Sequence, residues 1–540
     1  LMTANVVKQA ISRLKAGKGD ISGLFTSDSL KAAPNILNEK LAIIFRNFLR
    51  HGYASESLLN CALAPLIKDL NGDTCDSKNY RAIAISSLIL KIFDHCLLIL
   101  FGKQLESDSL QFGFEKGAST GQCTWTVLEV TSYFLKNGSD VYTCLLDFSK
   151  AFDKVNFCEL FKKLIKRKIP FIFLRLLLHI YRRQSCCVKW NNVKSGSFQV
   201  KNGVRQGAIA SPTLFCIYLD TLLEDLRKSG VGCYIANKFM GAFGYADDII
   251  LIAPTRHSLQ IMLNICEQYS KAHDMLFSTD PNPIKSKTKC MFYTMESRAK
   301  EPIPVILNGD PLPWVDTAKH LGHILTTDII KDYAYPNTNK DLLVKRAIYF
   351  DKVHSLVQEF GFCSKRLLCE LMRIYSTSFY GSMIWSLRSE DYSKLLRSFN
   401  TAIKLIWDLP HQTHKNFIEQ LIDFPHLQSM LHSRYIGFVW SVKNSMKDEV
   451  KLLYNICKYD QTSVTGSNLK HLMNSYELSS VEKLFENRFN IARNIVNPMS
   501  ENDLWKVSLL EELVEIKDGR KAVELTEQEI EDIIFIVTTC

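Results

Sequence analysis

Three carboxylates stand where their spacing could do chemistry. Asp147 ends the short apolar run at 141–146, and Asp247 and Asp248 lie one hundred residues further on, between the apolar runs at 239–245 and 249–253. Runs of this kind read as strands, and two of them flanking Ala246-Asp247-Asp248 read as a tight hairpin with two carboxylates at its tip. Acids buried at strand ends are costly unless they are paired or hold a cation, and hard Mg²⁺ takes oxygen ligands. Two such ions about 3.5 to 4 Å apart would activate an attacking hydroxyl and stabilise the phosphorus centre and the leaving pyrophosphate of an in-line displacement. An isolated Asp-Asp pair is more often a solvated turn, so the reading depends on what surrounds it.

The elements that must hold these acids follow from the apolar pattern. Residues 1–100 look helical and amphipathic, with a loop at 68–80 rich in Asn, Gly and Asp. Residues 157–168 and 258–275 read as further helices. Ser211-Pro212 opens an apolar segment that closes at Gly230, which places a capping serine, a first-turn proline and a terminal glycine as a helix requires. Residues 290–295 and 305–307 read as strands. Pro302, Pro304, Pro311 and Pro313, and later the stretch 336–340, mark a transition to a wholly helical region at 341–407. Strands and helices alternate irregularly, which predicts an α+β fold with an antiparallel sheet.

With 540 residues, 46% hydrophobic and 23% charged, the chain has room for roughly three or four globular domains and is neither disordered nor fibrous. The longest apolar stretch, 83–101, is broken by Lys91, Asp94 and His95, and 171–180 is short and carries Arg175, so no membrane span is expected. Residues 1–20 carry Lys8, Arg13, Lys15 and Lys18 without an apolar centre, so no signal peptide is visible there, in a chain that opens Leu1-Met2. Sixteen cysteines are scattered with no Cys-x-x-Cys, which shows neither a zinc knuckle nor a disulfide framework and suits a reducing, intracellular setting. The net charge of +10, 66 basic residues minus 56 acidic, is unevenly spread. Residues 154–205 hold 13 Lys and Arg against one acid, Glu159, whereas 501–540 hold 11 acids against 4 bases. The basic stretch is interleaved with Phe171, Phe173, Tyr181, Trp190 and Phe198, a combination able to neutralise phosphates and stack bases, or simply a solvated face above core aromatics.

The carboxylates belong to a longer pattern. Phe243-Gly244-Tyr245-Ala246-Asp247-Asp248 resembles the Tyr/Phe-x-Asp-Asp box of reverse transcriptases. Leu145-Leu146-Asp147-Phe148-Ser149-Lys150-Ala151-Phe152-Asp153-Lys154-Val155 resembles the first palm motif of non-LTR (LINE-type) retrotransposon polymerases. Asn202-Gly203-Val204-Arg205-Gln206-Gly207, followed by Ser211-Pro212 and Leu214-Phe215, is similar to their second. Asn79-Tyr80-Arg81-Ala82-Ile83 and Gln111-Phe112-Gly113-Phe114 resemble the preceding fingers boxes, and Ser286-Lys287-Thr288-Lys289 and His320-Leu321-Gly322 the fourth motif and the primer grip.

The resemblance implies a role for each matching residue. Asp147, Asp247 and Asp248 would be the catalytic metal ligands for two Mg²⁺ ions, with Mn²⁺ as a substitute, and Lys287 a proton donor to pyrophosphate, although Lys285 and Lys289 compete for that role. Lys68 and Arg81 would grip the triphosphate, as a point charge and a bidentate fork. Phe152 would be the steric gate that rejects a ribose 2′-hydroxyl, and Gln206 and Gly207 would lie by the nascent base pair. Gly203, Arg205, Ser211, Leu321 and Gly322 would contact nucleic acid. The pattern departs from its relatives at Ala82, where proline is usual, and at Ala64-Pro65, where Ile-Pro is commoner; neither position carries chemistry.

The implied architecture is a right-hand polymerase with an antiparallel palm sheet: an N-terminal extension and fingers at 1–140, a palm with interleaved fingers elements at 141–330, a helical thumb at 331–415, and a mainly helical region at 416–540 with no nameable motif. About twenty residues precede the first fingers block and no Cys/His knuckle follows, so the sequence reads as an element polymerase lacking its endonuclease. The implied activity is RNA-directed DNA synthesis from dNTPs on an RNA template with a DNA primer or target, in a nuclear or cytoplasmic ribonucleoprotein and away from membranes. An inactive or domesticated RNA-binding remnant and a group II intron-like reverse transcriptase are the alternatives. An RNA-dependent RNA polymerase shares the carboxylates but is disfavoured by Phe152.

Overall fold

Val141–Leu146 forms a strand because it is apolar on both pleated faces and both are covered; four of its last five side chains are buried. The computed structural model to which it belongs describes residues 1–493 except 71, 192, 206, 281, 283, 284, 297–301 and 420. Gln206 and the acidic stretch at 501–540 therefore lie outside the described residues. The expected hairpin is present as Ala242–Tyr245 and Asp248–Ala253, antiparallel, with Asp248 opposite Tyr245 and Ile249 opposite Gly244. Asp248–Ala253 is also antiparallel to Val141–Leu146, with Ile249 opposite Leu146. In space the four strands run Lys289–Tyr293, Val141–Leu146, Asp248–Ala253, Ala242–Tyr245. Helices Ser211–Lys228 and Arg256–Ala272 pack on this sheet and on each other.

The chain divides into two compact units, the first made of residues 1–120, 142–290 and 302–314, the second of 121–141, 291–301 and 315 onward. In the first, a second sheet orders Tyr80–Ser86, Asn60–Ile67, Ser185–Trp190 and Val193–Lys194, with Phe198–Gln199 also pairing with Ser185–Trp190. The sequence reading placed helices across residues 1–100. Helices Ala4–Ser12, Ile36–His51 and Leu88–Leu100 are there, but Asn60–Ile67 and Tyr80–Ser86 are strands. A short continuous apolar run such as 58–67 has no period that separates buried strand from buried helix, and here pairing over seven residues decides it. Parallel pairing sets Cys61 opposite Cys186, and their sulfurs are bonded across 125 residues of sequence, a link that cysteine spacing could not reveal. Ser211 was expected as a helix cap; it is instead the first helical residue, after Ala210, and its side chain is buried.

In the second unit, helix Thr120–Lys136 is buried almost all round, polar residues included. Its hydrogen bonds explain how. Trp125 Nε1 donates to Thr465 Oγ1 at 2.9 Å, the Thr465 hydroxyl donates to Glu129 Oε1 at 2.6 Å, and the Cys457 thiol donates to Glu129 Oε2 at 3.0 Å. Burial raises the Glu129 carboxyl above the usual range, while these donors pull it back. At the helix end Lys136 pairs with Asp460 at 2.9 Å. The expected helical region appears as Asn339–Phe360, Lys365–Ser376 and Glu390–Trp407, packed on one another, followed by Leu427–Lys443, Asp448–Cys457 and Val464–Ser475. Among the described residues no helix is long and apolar enough to cross a membrane.

Removing a buried acceptor strands its donors, so Glu129→Ala is expected to cost about 1–3 kcal/mol in urea unfolding. Glu129→Gln keeps an acceptor for Thr465 Oγ1 and is expected to cost less; equal losses would show that the network does not hold this helix.

Candidate active site

The register that aligns Ile249 with Leu146 brings the start of Asp248–Ala253 to the end of Val141–Leu146. One step beyond that pair are Asp248 and Asp147, with Asp247 in the turn before them. Asp147 is held from behind: its N–H donates to Thr288 Oγ1 at 3.4 Å, its carbonyl accepts from Ser278 N–H at 2.8 Å, and Phe148 stacks on Phe277 at 4.3 Å. The hairpin tip is held by Gln111. Its Oε1 accepts the N–H groups of Ala246 and Gly113 at 2.8 Å each, its Nε2 donates to Ala246 carbonyl at 3.4 Å, and the side chain is fully buried. Ala246 has a φ of 57°, so the turn carries strain that this clamp offsets.

Burial governs the electrostatics, and like charge adds to it at Asp247 and Asp248. Burial raises Asp147, and Lys287, whose Nζ is 3.6 Å from Asp147 Oδ2, lowers it. Asp247 is raised by burial and by Asp147, against lowering by Arg81 and Lys287. Asp248 reaches solvent, yet partial burial and then the charges of Asp247 and Asp147 push it up to about 6. Asp147 Oδ2 is buried and accepts no hydrogen bond. No three His, Cys, Asp or Glu side chains among the described residues cage a metal ion by themselves. The donor set instead fits a hard cation that takes one or two carboxylates and completes its shell with water and substrate phosphate.

A second layer of residues fixes the floor beside the acids. Phe152 is the second residue of the short helix Ala151–Lys154, which follows Lys150, whose φ is 52°, and its ring stacks on Phe215 at 4.5 Å and 16°. Val204 N–H donates to Phe152 carbonyl at 2.8 Å, and Gly203 N–H to Val155 carbonyl at 3.0 Å. A Cβ on Gly203 would sit 2.8 Å from the backbone of Phe152 and Asp153, and one on Gly207 2.7 Å from Ala84 carbonyl. Both glycines also have positive φ, 88° and 111°. Their requirement for glycine thus comes from close approach to this chain's own backbone.

The structure does not bring every expected residue to the acids. Arg81 is exposed and its charge acts on Asp247, whereas Lys68, also exposed, acts on Asp153 and donates to Lys78 carbonyl at 2.6 Å. Arg205 was expected at nucleic acid; it is 7% exposed, and its charge opposes the rise that burial imposes on the carboxyl of Asp94, which accepts Ala210 N–H at 3.3 Å. Ser211 is likewise buried. Leu321 and Gly322 form the half-buried turn between strands Thr317–His320 and His323–Thr326 of the second unit. Sequence reasoning gave no role to Gln111, Thr288 or Phe277, because their work is to place backbone.

Residues 68–325 match the family model described as Reverse transcriptase (RNA-dependent DNA polymerase). Over 233 residues the chain is 26% identical to the Retrovirus-related Pol polyprotein from type-1 retrotransposable element R2 of Nasonia vitripennis, covering 43% of this chain and 22% of that protein. Over 408 residues it is 23% identical to the probable RNA-directed DNA polymerase from transposon X-element of Drosophila melanogaster, covering 74% of this chain and 43% of that one. The chain therefore spans less than half the length of either curated relative. Among solved structures, apo telomerase from Candida tropicalis aligns with 86% of this chain and 73% of its own at 12% identity, with a TM-score of 0.39, too loose a likeness to reason from.

Because the folded carboxyl of Asp248 titrates near 6 and an unfolded one near 3.8, the native state holds the extra proton between those values. Stability at this group is full at low pH and is lost as pH rises through about 6. Asp248→Asn is expected to raise the melting temperature of the protein in EDTA at pH 7.5, with the gap closing toward pH 4. A gap that stays constant with pH would show that neither burial nor the neighbouring acids raise this carboxyl.

Proposed function

From the reverse transcriptase domain that residues 68–325 form, we propose that this chain is the polymerase core of a non-LTR retrotransposon and extends a DNA primer on an RNA template. The observation that carries the reading is the meeting of Asp147, Asp247 and Asp248 at one end of an antiparallel sheet, with Lys287 against them. The relatives' names supply the class: RNA-directed DNA polymerases of mobile elements.

The primer 3′-hydroxyl gives up its proton to solvent, and its oxygen forms a bond to the α-phosphorus of a deoxynucleotide as the bond to pyrophosphate breaks. Asp147 and Asp247 are the principal metal-holding groups, and Asp248 sharpens the negative potential beside them. Bound divalent cations, Mg²⁺ by choice and Mn²⁺ in its place, supply Lewis-acid activation of the hydroxyl and neutralise charge on the leaving group. Lys287 Nζ is the proton source for pyrophosphate. Arg81, acting on Asp247 from the strand Tyr80–Ser86, offers its fork to the triphosphate, with Lys68 as a mobile second cation. Phe152 is fixed by its stack on Phe215, so its ring cannot swing away from an incoming ribose 2′-hydroxyl. Gln206 and Gly207 border the base pair, and Leu321 and Gly322 grip the primer. The same reading puts the protein in a nuclear or cytoplasmic ribonucleoprotein.

Primer extension on an RNA template with Mg²⁺ tests this. Wild type is expected to make DNA from dNTPs and little product from rNTPs, and Phe152→Ala to gain ribonucleotide incorporation. Asp247→Asn is expected to lose extension at least a hundredfold, about 3 kcal/mol of barrier, while binding RNA unchanged. Equal extension by Asp247→Asn and wild type would remove Asp247 from the chemistry. No product from a folded, RNA-binding wild type would identify a domesticated remnant.

A further inference from the structure

The aromatics that interleave the basic stretch separate in the structure. Phe173 and Tyr181 are core residues, at 2% and 3% exposure, but Trp190 and Phe198 are 52% and 43% exposed. Both lie on the sheet that carries Arg81, and the register sorts that sheet into two faces. Side chains alternate along a strand and directly paired residues share a face. Ile67 pairs with Tyr80, Leu63 with Val188, Trp190 with Val193, and Cys186 with Phe198. Tyr80, Ile67, Trp190, Val193 and Phe198 therefore share one face, and the Tyr80 and Trp190 rings meet edge to face at 5.4 Å. Leu66 pairs with Arg81 and Lys189 with Lys194, which puts the cations on the other face, the one whose Arg81 acts on Asp247.

The outer end of this sheet is thus aromatic on one side and basic on the other, and the aromatic side is uncovered among the described residues: Val193 is 71% exposed and Ile67 42%. Lys78 and Lys201 are exposed in the loops beside these strands, and Lys189 and Lys194 lie one residue from Trp190 and Val193, within reach of a chain lying across the edge. Opposing them are Asp69, Asp73 and Asp76 of the loop at 68–79, three acids against the six cations Lys68, Lys78, Arg81, Lys189, Lys194 and Lys201. A flat π surface bordered by net positive charge suits a ligand with flat apolar faces and regular negative charge. We propose that the Trp190–Tyr80–Phe198 face is a binding surface for single-stranded nucleic acid, distinct from the carboxylate centre, on which bases stack while Lys78 and Lys201 in the bordering loops, with Lys189 and Lys194 across the sheet edge, take the phosphates. Stacking of this kind is tolerant of sequence because every base offers a π face.

Fluorescence anisotropy with labelled 20-nucleotide oligo(rU), oligo(dT) and a blunt duplex, on the full chain, tests the proposal. Trp190→Ala is expected to weaken binding of both single strands roughly tenfold, the loss of one stacked base, and to leave the duplex unaffected. Trp190→Phe should recover most of that loss. Lys189→Ala with Lys194→Ala should lower the slope of log affinity against log salt by about 1.4 for the single strands. Equal affinity of oligo(rU) and oligo(dT) marks a surface open to either strand, and a preference for oligo(rU) marks an RNA site; either result with the Trp190 effect supports the proposal. Unchanged single-strand affinity in Trp190→Ala and in the double-lysine variant would overturn it, whether or not primers are extended. Loss of self-association in Trp190→Ala with unchanged oligonucleotide affinity would also overturn it, assigning the face to contacts between copies. A wild type that extends no primer but shows the Trp190 effect would leave this surface standing and remove the polymerase reading alone.

Discussion

Burial of Asp147, Asp247 and Asp248 at one sheet end, with like charge adding to it at Asp247 and Asp248, is the constraint around which the site is arranged. Three acids near one sheet end favour staying protonated, and each has its carboxyl raised. Such a cluster persists only if the backbone cannot relax away from it. The backbone is held in two places: Gln111 closes the turn through Ala246 and Gly113, and Ser278 and Thr288 fix Asp147 from the neighbouring segment. Lys287 and Arg81 lower the cost without removing it, since one cation 3.6 Å from one acid cannot neutralise three. The charge that remains is what a cation and a triphosphate can use.

Much of this was legible because chemistry at a metal site demands particular residue types at particular strand ends. The hairpin could be read from two apolar runs with Asp-Asp between them, and the helices at 157–166, 211–228 and 256–272 from apolar period and terminal residues. Four things were hidden, each for a physical reason. Asn60–Ile67 and Tyr80–Ser86 carry no helix-excluding period, and their identity comes from pairing across the chain. The Cys61–Cys186 bond depends on parallel pairing that brings distant strands into register. The burial of helix Thr120–Lys136 depends on partners more than 300 residues away, such as Thr465 for Trp125. Gln111 could be read as part of a fingers box, but the backbone it clamps, at Ala246, lies 135 residues further on and is not legible from the sequence.

Motif residues also divide by what they touch. Resemblance assigned Gly203 and Arg205 to nucleic acid and Gly207 to the nascent base pair, yet within the protein each of these three has work that involves no ligand. Gly203 lets the loop lie on the backbone of Phe152 and Asp153, and Gly207 lets it lie on Ala84. Arg205 is buried near Asp94, where losing either charge would leave the other uncompensated in a low-dielectric interior. The loop is therefore a brace between the strand bearing Arg81 and the helical turn bearing Phe152.

That brace sets the Phe152 backbone from more than one side. Phe152 is set by two contacts from different elements, its stack on Phe215 and its carbonyl bond to Val204, and Val204 belongs to the same loop that Gly207 seats on Ala84. A side chain at Gly203 would hold that residue off the backbone of Phe152 and Asp153, and one at Gly207 would hold it off the Ala84 carbonyl, so both close approaches demand glycine.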